Sequence, residues 1–299
     1  MENLIIEAYD SERDKLAIRA MLCGEGYLDE VFQENQKNFH DGLFVAYYND
    51  LIAGFLSVNN FRRGRGAKTI LFVSKEYRRK GIGTKLMERA DTFLSRCVAV
   101  ERSIVTCIDG DRSSLQFLYK NGYYINYSSY IMEREGKTLI EENIFVRQYE
   151  DEDYLACHKI SEIAFFKMRE HVGMLPSYYF PPDEGERKSF LRNRNNRFVM
   201  LIGGEIAGVG VINGNELRHV AVRPKLQGRG YGRAFVSFLV NEIMRRGEKI
   251  VKLGVVKGNP AKKIYESLGF KEKSLNHWLT KYYKPDSRLS EPPNDDIAE

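Results

Sequence analysis

The sequence predicts two consecutive α+β domains, and a repeat within the chain is the first reason. Residues 73–83 read Val-Ser-Lys-Glu-Tyr-Arg-Arg-Lys-Gly-Ile-Gly, and residues 222–232 read Val-Arg-Pro-Lys-Leu-Gln-Gly-Arg-Gly-Tyr-Gly. A second pair of similar segments follows them at nearly the same offset, at 118–123 and 264–270. Two such matches in a chain of 299 residues indicate a duplicated domain, and the length suits two ordinary domains. In each half, antiparallel hairpins precede a strand-helix-strand-helix unit.

In the first half, apolar runs and turn residues define the elements in order. Asn49-Asp50 separates two apolar runs, which is a hairpin signal. Apolar residues from Leu86 to Leu94 recur at helical spacing, and Gly122 is a natural stop for the helix before it. The predicted elements are a strand Leu4–Tyr9, a helix Ser11–Gly24 with Ser11 as N-cap, strands Leu43–Tyr48, Ile52–Val58 and Thr69–Val73, a helix Thr84–Cys97, a strand Ser103–Ile108 and a helix Ser113–Lys120.

The second half repeats this order. Gly203-Gly204 makes a turn between two apolar runs, and Gly247 and Gly269 each follow a helical pattern as a stop. The predicted elements are strands Asn143–Arg147, Phe198–Ile202, Ile206–Ile212 and Leu217–Val222, a helix Arg233–Arg246, a strand Ile250–Val256, a helix Ala261–Leu268 and a strand Trp278–Tyr283.

A polar stretch at Glu135–Glu142 marks the boundary between the halves. We therefore predict an N-terminal domain at residues 1–138 and a C-terminal domain at residues 139–284. Residues 285–299 carry three prolines and several acids, which is typical of a disordered tail.

Composition excludes several classes of protein. No apolar run approaches the roughly 18–20 residues of a membrane helix, and the N-terminus lacks a secretory signal pattern. The four cysteines show no metal-ligand spacing, which favours reduced thiols in a cytoplasm and no metal. A net charge of +5 without a recognisable nucleic-acid module predicts no nucleic-acid partner. The expectation is a cytoplasmic protein, either monomer or homodimer, with no membrane partner.

The repeated segment is suited to hold an anion. A strand ending in valine leads through a loop to Gly-x-Gly, which opens a helix. The first N–H groups of a helix have no internal partner and lie at its positive end, so phosphate binds there readily. The spacing fits neither the dinucleotide fingerprint nor the P-loop. For a single Gly-x-Gly, a plain tight turn is the competing interpretation.

These segments resemble motif A of the GNAT superfamily of N-acetyltransferases, Arg/Gln-x-x-Gly-x-Gly, at 78–83 and 227–232. The stretch from Asn259 to Phe270 is similar to the next motif of that family, with one residue fewer before its tyrosine. The resemblance covers both halves. It implies, in each domain, a partly splayed sheet that holds acetyl-CoA between its fourth and fifth strands. The implied acetyl-CoA contacts are Val220, Ala221, Val222, Gln227, Gly228, Arg229, Gly230, Tyr231, Gly232, Arg233 and Asn259 in the second half, and Val73, Arg78, Arg79, Lys80, Gly81, Ile82, Gly83 and Thr84 in the first.

The resemblance also implies catalytic residues. Counting back eleven residues from Gln227 gives Glu216 as the base that takes a proton from the amine, whereas the same count from Arg78 gives Ala67. The tyrosine of the later motif, which protonates the leaving thiolate, falls on Tyr265 and, in the first half, on Tyr119. The Val222 N–H is the expected oxyanion donor. Each of these residues also has a competing structural interpretation. Glu216 could be an exposed strand residue, Tyr265 could serve only in packing, and His219 could be a structural neighbour of the cofactor strand.

The acceptor site is predicted in the segment that differs most between the halves, 154–197. Its aromatic residues could wall a pocket, and several could instead be helix core. We name Tyr178, Tyr179 and His171 as substrate contacts, with 178–182 as a lid or wall of the pocket.

The resulting prediction is a transferase that moves an acetyl group from acetyl-CoA to a primary amine of a small molecule or peptide. Its C-terminal domain would be catalytic and its N-terminal domain a degenerate copy. Two alternatives stay open: a non-catalytic acyl-CoA sensor or interaction protein, and a bifunctional enzyme in which both domains are active.

Overall fold

The computed structural model describes residues 3–23, 26–38, 40–60, 66–98, 100–174 and 179–284. The predicted tail, 285–299, lies outside these residues. Two compact units are present among the described residues: unit 1 runs to Ile125 and also includes residues 278–284, and unit 2 runs from Asn126 to His277. This division differs from the predicted boundary after residue 138, because residues 126–135 are a strand in the sheet of unit 2.

The helices and strands follow one another in this order: β1 Leu4–Ala8, α1 Ser11–Met21, α2 Gly26–Asn38, β2 Leu43–Tyr48, β3 Leu51–Asn60, β4 Gly66–Val73, α3 Ile82–Arg96, β5 Arg102–Ile108, α4 Arg112–Lys120, β6 Tyr124–Glu135, β7 Phe145–Gln148, α5 Tyr154–His171, α6 Glu184–Arg192, β8 Arg197–Ile202, β9 Glu205–Asn213, β10 Glu216–Val222, α7 Tyr231–Arg245, β11 Ile250–Val256, α8 Ala261–Ser267 and β12 Lys271–Tyr282. Short 3₁₀ turns lie at Lys75–Tyr77 and Pro224–Leu226, each before a glycine loop.

Unit 1 is an open sheet in the order β1-β2-β3-β4-β5, with the end of β12 beside β5. Its first four strands are antiparallel, whereas β4 and β5 are parallel and pair only over Gly66–Lys68 and 102–104. Helix α3 buries its apolar face on this sheet, with Leu86 and Leu94 fully buried beside Leu279 of β12. The N-cap of α1 is Asp10, whose carboxylate accepts from two N–H groups, and not the predicted Ser11.

Unit 2 has the sheet order β6-β11-β10-β9-β8-β7. Parallel pairing of β10 with β11 stops after Glu216–Leu217 and Lys252–Leu253, so the two strands diverge beyond it. Helix α7 lies in the main core with Phe235 and Leu239 fully buried, and α5 belongs to a second cluster packed on Val209 and Ala221.

The predicted α+β class with partly splayed sheets is therefore confirmed. The sequence prediction missed α2 and β6. No helix of the described residues is long and apolar enough to cross a membrane.

Candidate functional site

The gap between the diverging strands β10 and β11 opens into a cavity of about 670 Å³, which lies within the range of small-molecule sites. Strand β10, helices α5, α7 and α8 and the glycine loop form its walls. The lining residues include Ala164, Phe165, Lys167, Met168, His171, Val220, Ala221, Val222, Gln227, Gly228, Gly230, Gly232, Arg233, Asn259, Ile264 and Tyr265.

Backbone direction on β10 brings an amide to this gap. The Arg223 N–H donates to the Ala207 carbonyl at 2.8 Å, and Val222 pairs with Gly208 in the antiparallel register. Successive residues of a strand point their N–H groups to opposite neighbours, so the Val222 N–H points away from β9 toward the gap. This amide can therefore donate a hydrogen bond to a ligand.

The glycine loop forms the anion cradle that its sequence indicates. Gly228 and Gly230 adopt φ of 77° and 88°, and Gly230 is the N-cap of α7. The first intrahelical bond is Ala234 N–H to Gly230, so the N–H groups of 231–233 have no intrahelical acceptor. The Gln227 side chain donates to the Val222 carbonyl at 2.9 Å and thereby closes the loop onto β10.

Helix α5 supplies the opposite wall. Ala164, Phe165, Met168 and His171 recur at helical spacing and line the cavity together. The neighbouring Phe166 is 4% exposed and belongs to the core. The spacing of residues along α5 therefore distinguishes the side chains that line the cavity from those that lie in the core.

Tyr265 is the phenol of the cavity. Its ring meets Phe270 edge to face at 5.9 Å between centroids, and the side chain is half-buried. Burial raises the pKa of Tyr265 to about 12, so it stays protonated at neutral pH. Such a group can act as a proton donor and not as a base.

Glu216 lies at the start of β10, outside the set of described residues that line the cavity. Both Nε and a terminal nitrogen of Arg218 donate to one of its carboxylate oxygens, at 2.8 and 2.6 Å. Its side chain is about one-third exposed, so the ion pair faces solvent. The structure thus does not bring the two predicted catalytic side chains together at the cavity wall.

Unit 1 keeps a comparable cavity of about 590 Å³ beside its own glycine loop. Arg78 donates to the Val73 carbonyl at 3.0 Å, as Gln227 does to Val222. Arg79, at the place of Gly228, adopts φ of 66°. The predicted residues that line this cavity are Val73, Arg78, Arg79, Gly81, Ile82, Gly83 and Thr84. Lys80 instead lies over the ring of Tyr48 at 4.3 Å.

Helix α4 of unit 1 and helix α8 of unit 2 occupy corresponding places but differ in the position of their tyrosine. The Tyr123 N–H donates to the Leu118 carbonyl at 3.1 Å, and the Phe270 N–H donates to the Tyr265 carbonyl at 3.0 Å. These matching helix ends make Leu118 the counterpart of Tyr265. The predicted match with Tyr119 is therefore wrong by one residue, and Tyr119 is 48% exposed.

The strand that borders the gap also differs. Strands β9 and β10 change register between Arg218 and Ala221, which is a one-residue bulge. Strands β3 and β4 instead pair in unbroken register from Gly54–Val73 to 60–67. Unit 1 therefore lacks the bulge, a feature that sequence reasoning did not find.

Two predicted cofactor contacts and the predicted substrate residues are placed as follows. Arg229 and Tyr231 are not among the described residues that line the cavity, and Tyr231 packs on the core of unit 2. Tyr178 lies outside the described residues. Tyr179 is half-buried away from the cavity lining, and burial raises its pKa. Of the two that the structure describes, only His171 lines the cavity.

Family models match both halves of the chain. The acetyltransferase (GNAT) family model matches residues 7–123, and a model described as FR47-like protein matches residues 206–279. The [ribosomal protein bS18]-alanine N-acetyltransferase of Escherichia coli is 32% identical in an alignment of 107 positions that covers 33% of this chain and 70% of that protein.

Solved structures share the fold over nearly the whole chain. A GCN5-related N-acetyltransferase from Sphaerobacter thermophilus has a TM-score of 0.72 at 18% identity, covering 96% of this chain and 98% of that one. A tandem GNAT protein from the clavulanic acid biosynthesis pathway has a TM-score of 0.65 at 14% identity, covering 95% and 99%. A glucosamine N-acetyltransferase region of a fungal multi-domain enzyme has a TM-score of 0.66 at 14% identity, covering 94% and 38%. At these identities the likeness shows the fold alone.

Proposed function

Because this chain belongs to the GNAT family of acetyltransferases, we propose that unit 2 transfers the acetyl group of acetyl-CoA to a primary amine. One observation carries the assignment to unit 2. Its cavity joins an uncapped helix N-terminus, a free strand amide at Val222 and the protonated phenol of Tyr265. Together these groups can hold an anionic ligand and protonate a leaving thiolate.

The residues of this cavity fit acetyl-CoA. The pyrophosphate would lie on the N–H groups of 231–233, where the helix dipole is positive and Gly230 has no side chain in the way. The Asn259 Oδ1 accepts from the Ala261 N–H at 2.9 Å, which leaves the Asn259 amide N–H₂ for the pantetheine arm. A Cβ at Gly232 would stand 3.6 Å from Ile264 Cδ1, so glycine keeps this wall open.

Two groups of the chain would assist the transfer. When bound, acetyl-CoA supplies a thioester whose carbonyl carbon can form a bond to the amine nitrogen. The Val222 N–H would stabilise the negative charge that develops on the carbonyl oxygen. The Tyr265 phenol would give its proton to the departing sulfur. Glu216 was predicted as the base, and its ion pair with Arg218 would have to open for that role.

The acceptor would be a small-molecule or peptide amine. The curated relative is named for the alanine of a ribosomal protein, and one structural neighbour is named for glucosamine. Phe165 and Met168 give the cavity an apolar wall near the parting strands. A peptide N-terminus and an amino sugar are therefore the first acceptors to supply.

For unit 1 we propose acyl-CoA binding without turnover. It keeps the cavity, the glycine loop and the uncapped N-terminus of α3. It has Leu118 and Ala67 at the places of Tyr265 and Glu216, and its β4 has no bulge in the described register. Asp111 adds a carboxylate to this cavity. Hydrogen bonds from Ser114 hold the pKa of that carboxyl below its usual range, so it stays charged and weakens anion binding.

Calorimetric titration of acetyl-CoA with a matched pair of variants tests both assignments. Gly232→Leu and Gly83→Leu each place a side chain in one cavity at a glycine whose φ is not positive. We expect Gly232→Leu to abolish binding in unit 2 and acetylation of an N-terminal alanyl peptide or glucosamine. Gly83→Leu should remove only a second, non-catalytic site. Absence of acetyl-CoA binding to the wild-type protein would overturn the function, and loss of turnover with Gly83→Leu alone would reverse the assignment of the units.

A further inference from the structure

His219 occupies the bulge of β10, the feature that unit 1 lacks. It has φ of 50°, in the left-handed region where residues other than glycine are uncommon. The register of β9 and β10 changes across this residue, between Arg218 and Ala221. Strained backbone of this kind persists where the surrounding structure enforces it, and it concentrates at functional sites.

The imidazole of His219 lies next to the cavity of unit 2. Its ring meets Phe165 edge to face at 5.9 Å between centroids, and Phe165 lines that cavity beside Val220. His219 keeps an exposed surface, and within the described residues neither ring nitrogen takes part in a hydrogen bond. A ring that is held from one side and has free nitrogens can exchange a proton with a substrate.

Glu216, three residues earlier, differs in its partners. Two nitrogens of Arg218 donate to its carboxylate, whereas the His219 ring contacts Phe165 of the cavity wall; among the described residues neither side chain lines the cavity itself. The bulge falls between Glu216 and the residues Val220–Val222 that line the gap.

We propose that His219 is the base that takes a proton from the acceptor amine in unit 2. This inference rests on the function proposed for that unit. His171, whose imidazole lines the cavity, lies at the end of α5. The adjacent Val172 lies 3.5 Å from the position of a Cβ at Gly258. His171 is thus at the Asn259 end of the cavity, away from the bulge.

The proton balance of the step is complete. The ammonium group of the acceptor gives one proton to the free nitrogen of His219 and becomes a neutral amine. Its nitrogen forms a bond to the carbonyl carbon of the thioester, the carbon–sulfur bond breaks, and the sulfur takes the proton of Tyr265. The second proton of the nitrogen returns to the Tyr265 oxygen. One proton in all leaves to solvent from His219.

The charges around His219 suit this role. The pKa of His219 lies below its ordinary value, chiefly because the packed side chains desolvate the ring, and further because Arg197 and Arg218 are positive. The negative charges of Glu186 and Glu216 raise the pKa of His219, but desolvation and the two arginines lower it by more. Tyr149 and Cys157 also line the small cavity that His219 faces. The ring is therefore neutral at pH 7 and able to accept a proton.

The test replaces His219 by residues that tolerate a positive φ. His219→Gly removes the ring, and His219→Asn keeps a polar side chain at a backbone conformation that asparagine tolerates. Turnover is measured as thiol release from acetyl-CoA with an N-terminal alanyl peptide and with glucosamine. We expect kcat to fall about 10²- to 10⁴-fold in both variants with unchanged acetyl-CoA affinity, and added imidazole to restore turnover in His219→Gly.

A matched variant separates the two candidate bases. Glu216→Gln should keep the acidic limb of the kcat/KM profile, whereas His219→Asn should lose it. Nuclear magnetic resonance of the wild-type imidazoles gives a readout without turnover: the signal missing in His219→Asn should titrate below 6.5, the ordinary value for histidine. Loss of the acidic limb with Glu216→Gln or His171→Asn, no rescue by imidazole, or titration of His219 above 6.5 would overturn the proposal. Absence of any turnover by a wild-type protein that binds acetyl-CoA would instead refute the proposed function.

Discussion

Arg218 and Glu216 form an ion pair along one strand, with the Arg218 Nε and a terminal nitrogen 2.8 and 2.6 Å from the same carboxylate oxygen. Both side chains are partly exposed, so solvent screens their attraction. The pair matters less for stability than for the site, because its two charges act in opposite directions on the neighbouring His219.

Neutralising each partner should therefore move the titration of His219 in opposite directions. Arg218→Gln removes a positive charge that lowers the pKa of His219, so the pKa rises and the acidic limb of kcat/KM moves to higher pH. Glu216→Gln removes a negative charge that raises the pKa of His219, so the acidic limb of kcat/KM moves to lower pH. The measurement is the pH profile at constant ionic strength. If the acidic limb of kcat/KM moved in the same direction in both variants, a group other than His219 would be responsible for it.

Tyr265 and Tyr119, the residue first predicted as its counterpart, should differ sharply when mutated. Tyr265→Phe removes the proton donor of the cavity and should lower kcat by about 10²- to 10³-fold with little change in acetyl-CoA affinity. Tyr119→Phe changes a side chain that is 48% exposed in unit 1 and should leave turnover unaltered. Thiol release from acetyl-CoA measures both. A loss with Tyr119→Phe as large as that with Tyr265→Phe would contradict the assignment of turnover to unit 2.

The parts of the fold that the sequence predicted are those with local signals. The glycine loops and the helices after them follow from residues such as Gly81 and Gly230, whose positive φ no other residue adopts as easily. The apolar periodicity of α3 and α7 identified their buried faces, since helical spacing places such residues on one side.

The bulge that was missed depends on a relation between distant residues, whereas the misplaced tyrosine does not. A one-residue bulge at His219 is visible only against the partner strand β9, and nothing in β10 alone marks it. Tyr119 stands three residues before Gly122 and Tyr265 four before Gly269, so counting back from each glycine already gives Leu118, as the hydrogen bonds at the helix ends confirm. The hydrogen bonds from the Arg218 side chain to the Glu216 carboxylate could not be predicted from the sequence either.

A buried histidine fastens the segment after α5, and its loss should destabilise unit 2. The His158 Nδ1 lies 2.6 Å from a Glu186 carboxylate oxygen, and Nε2 donates to the Phe180 carbonyl at 2.9 Å. His158 is 2% exposed, so His158→Leu leaves the Glu186 carboxylate without its histidine partner in a poorly hydrated place. We expect a loss of about 1–3 kcal/mol in the free energy of unfolding, measured in urea, as is usual when a buried polar group loses a hydrogen-bond partner.

The double variant provides the control for this pair. His158→Leu with Glu186→Leu removes both polar groups, so its cost should be well below the sum of the two single losses. Additive losses would show that the two side chains do not stabilise the fold through each other.

The last strand tests how the chain divides between its units. Leu279 of β12 is fully buried among unit 1 residues such as Leu86 and Leu94, although it lies more than 150 residues from them in sequence. Leu279→Ala should cost about 2–5 kcal/mol and speed hydrogen exchange in α3 and β4. Leu253→Ala, in the core of unit 2, should instead speed exchange in β10 and α7. If Leu279→Ala loosened only the amides of unit 2, the end of β12 would belong to that unit.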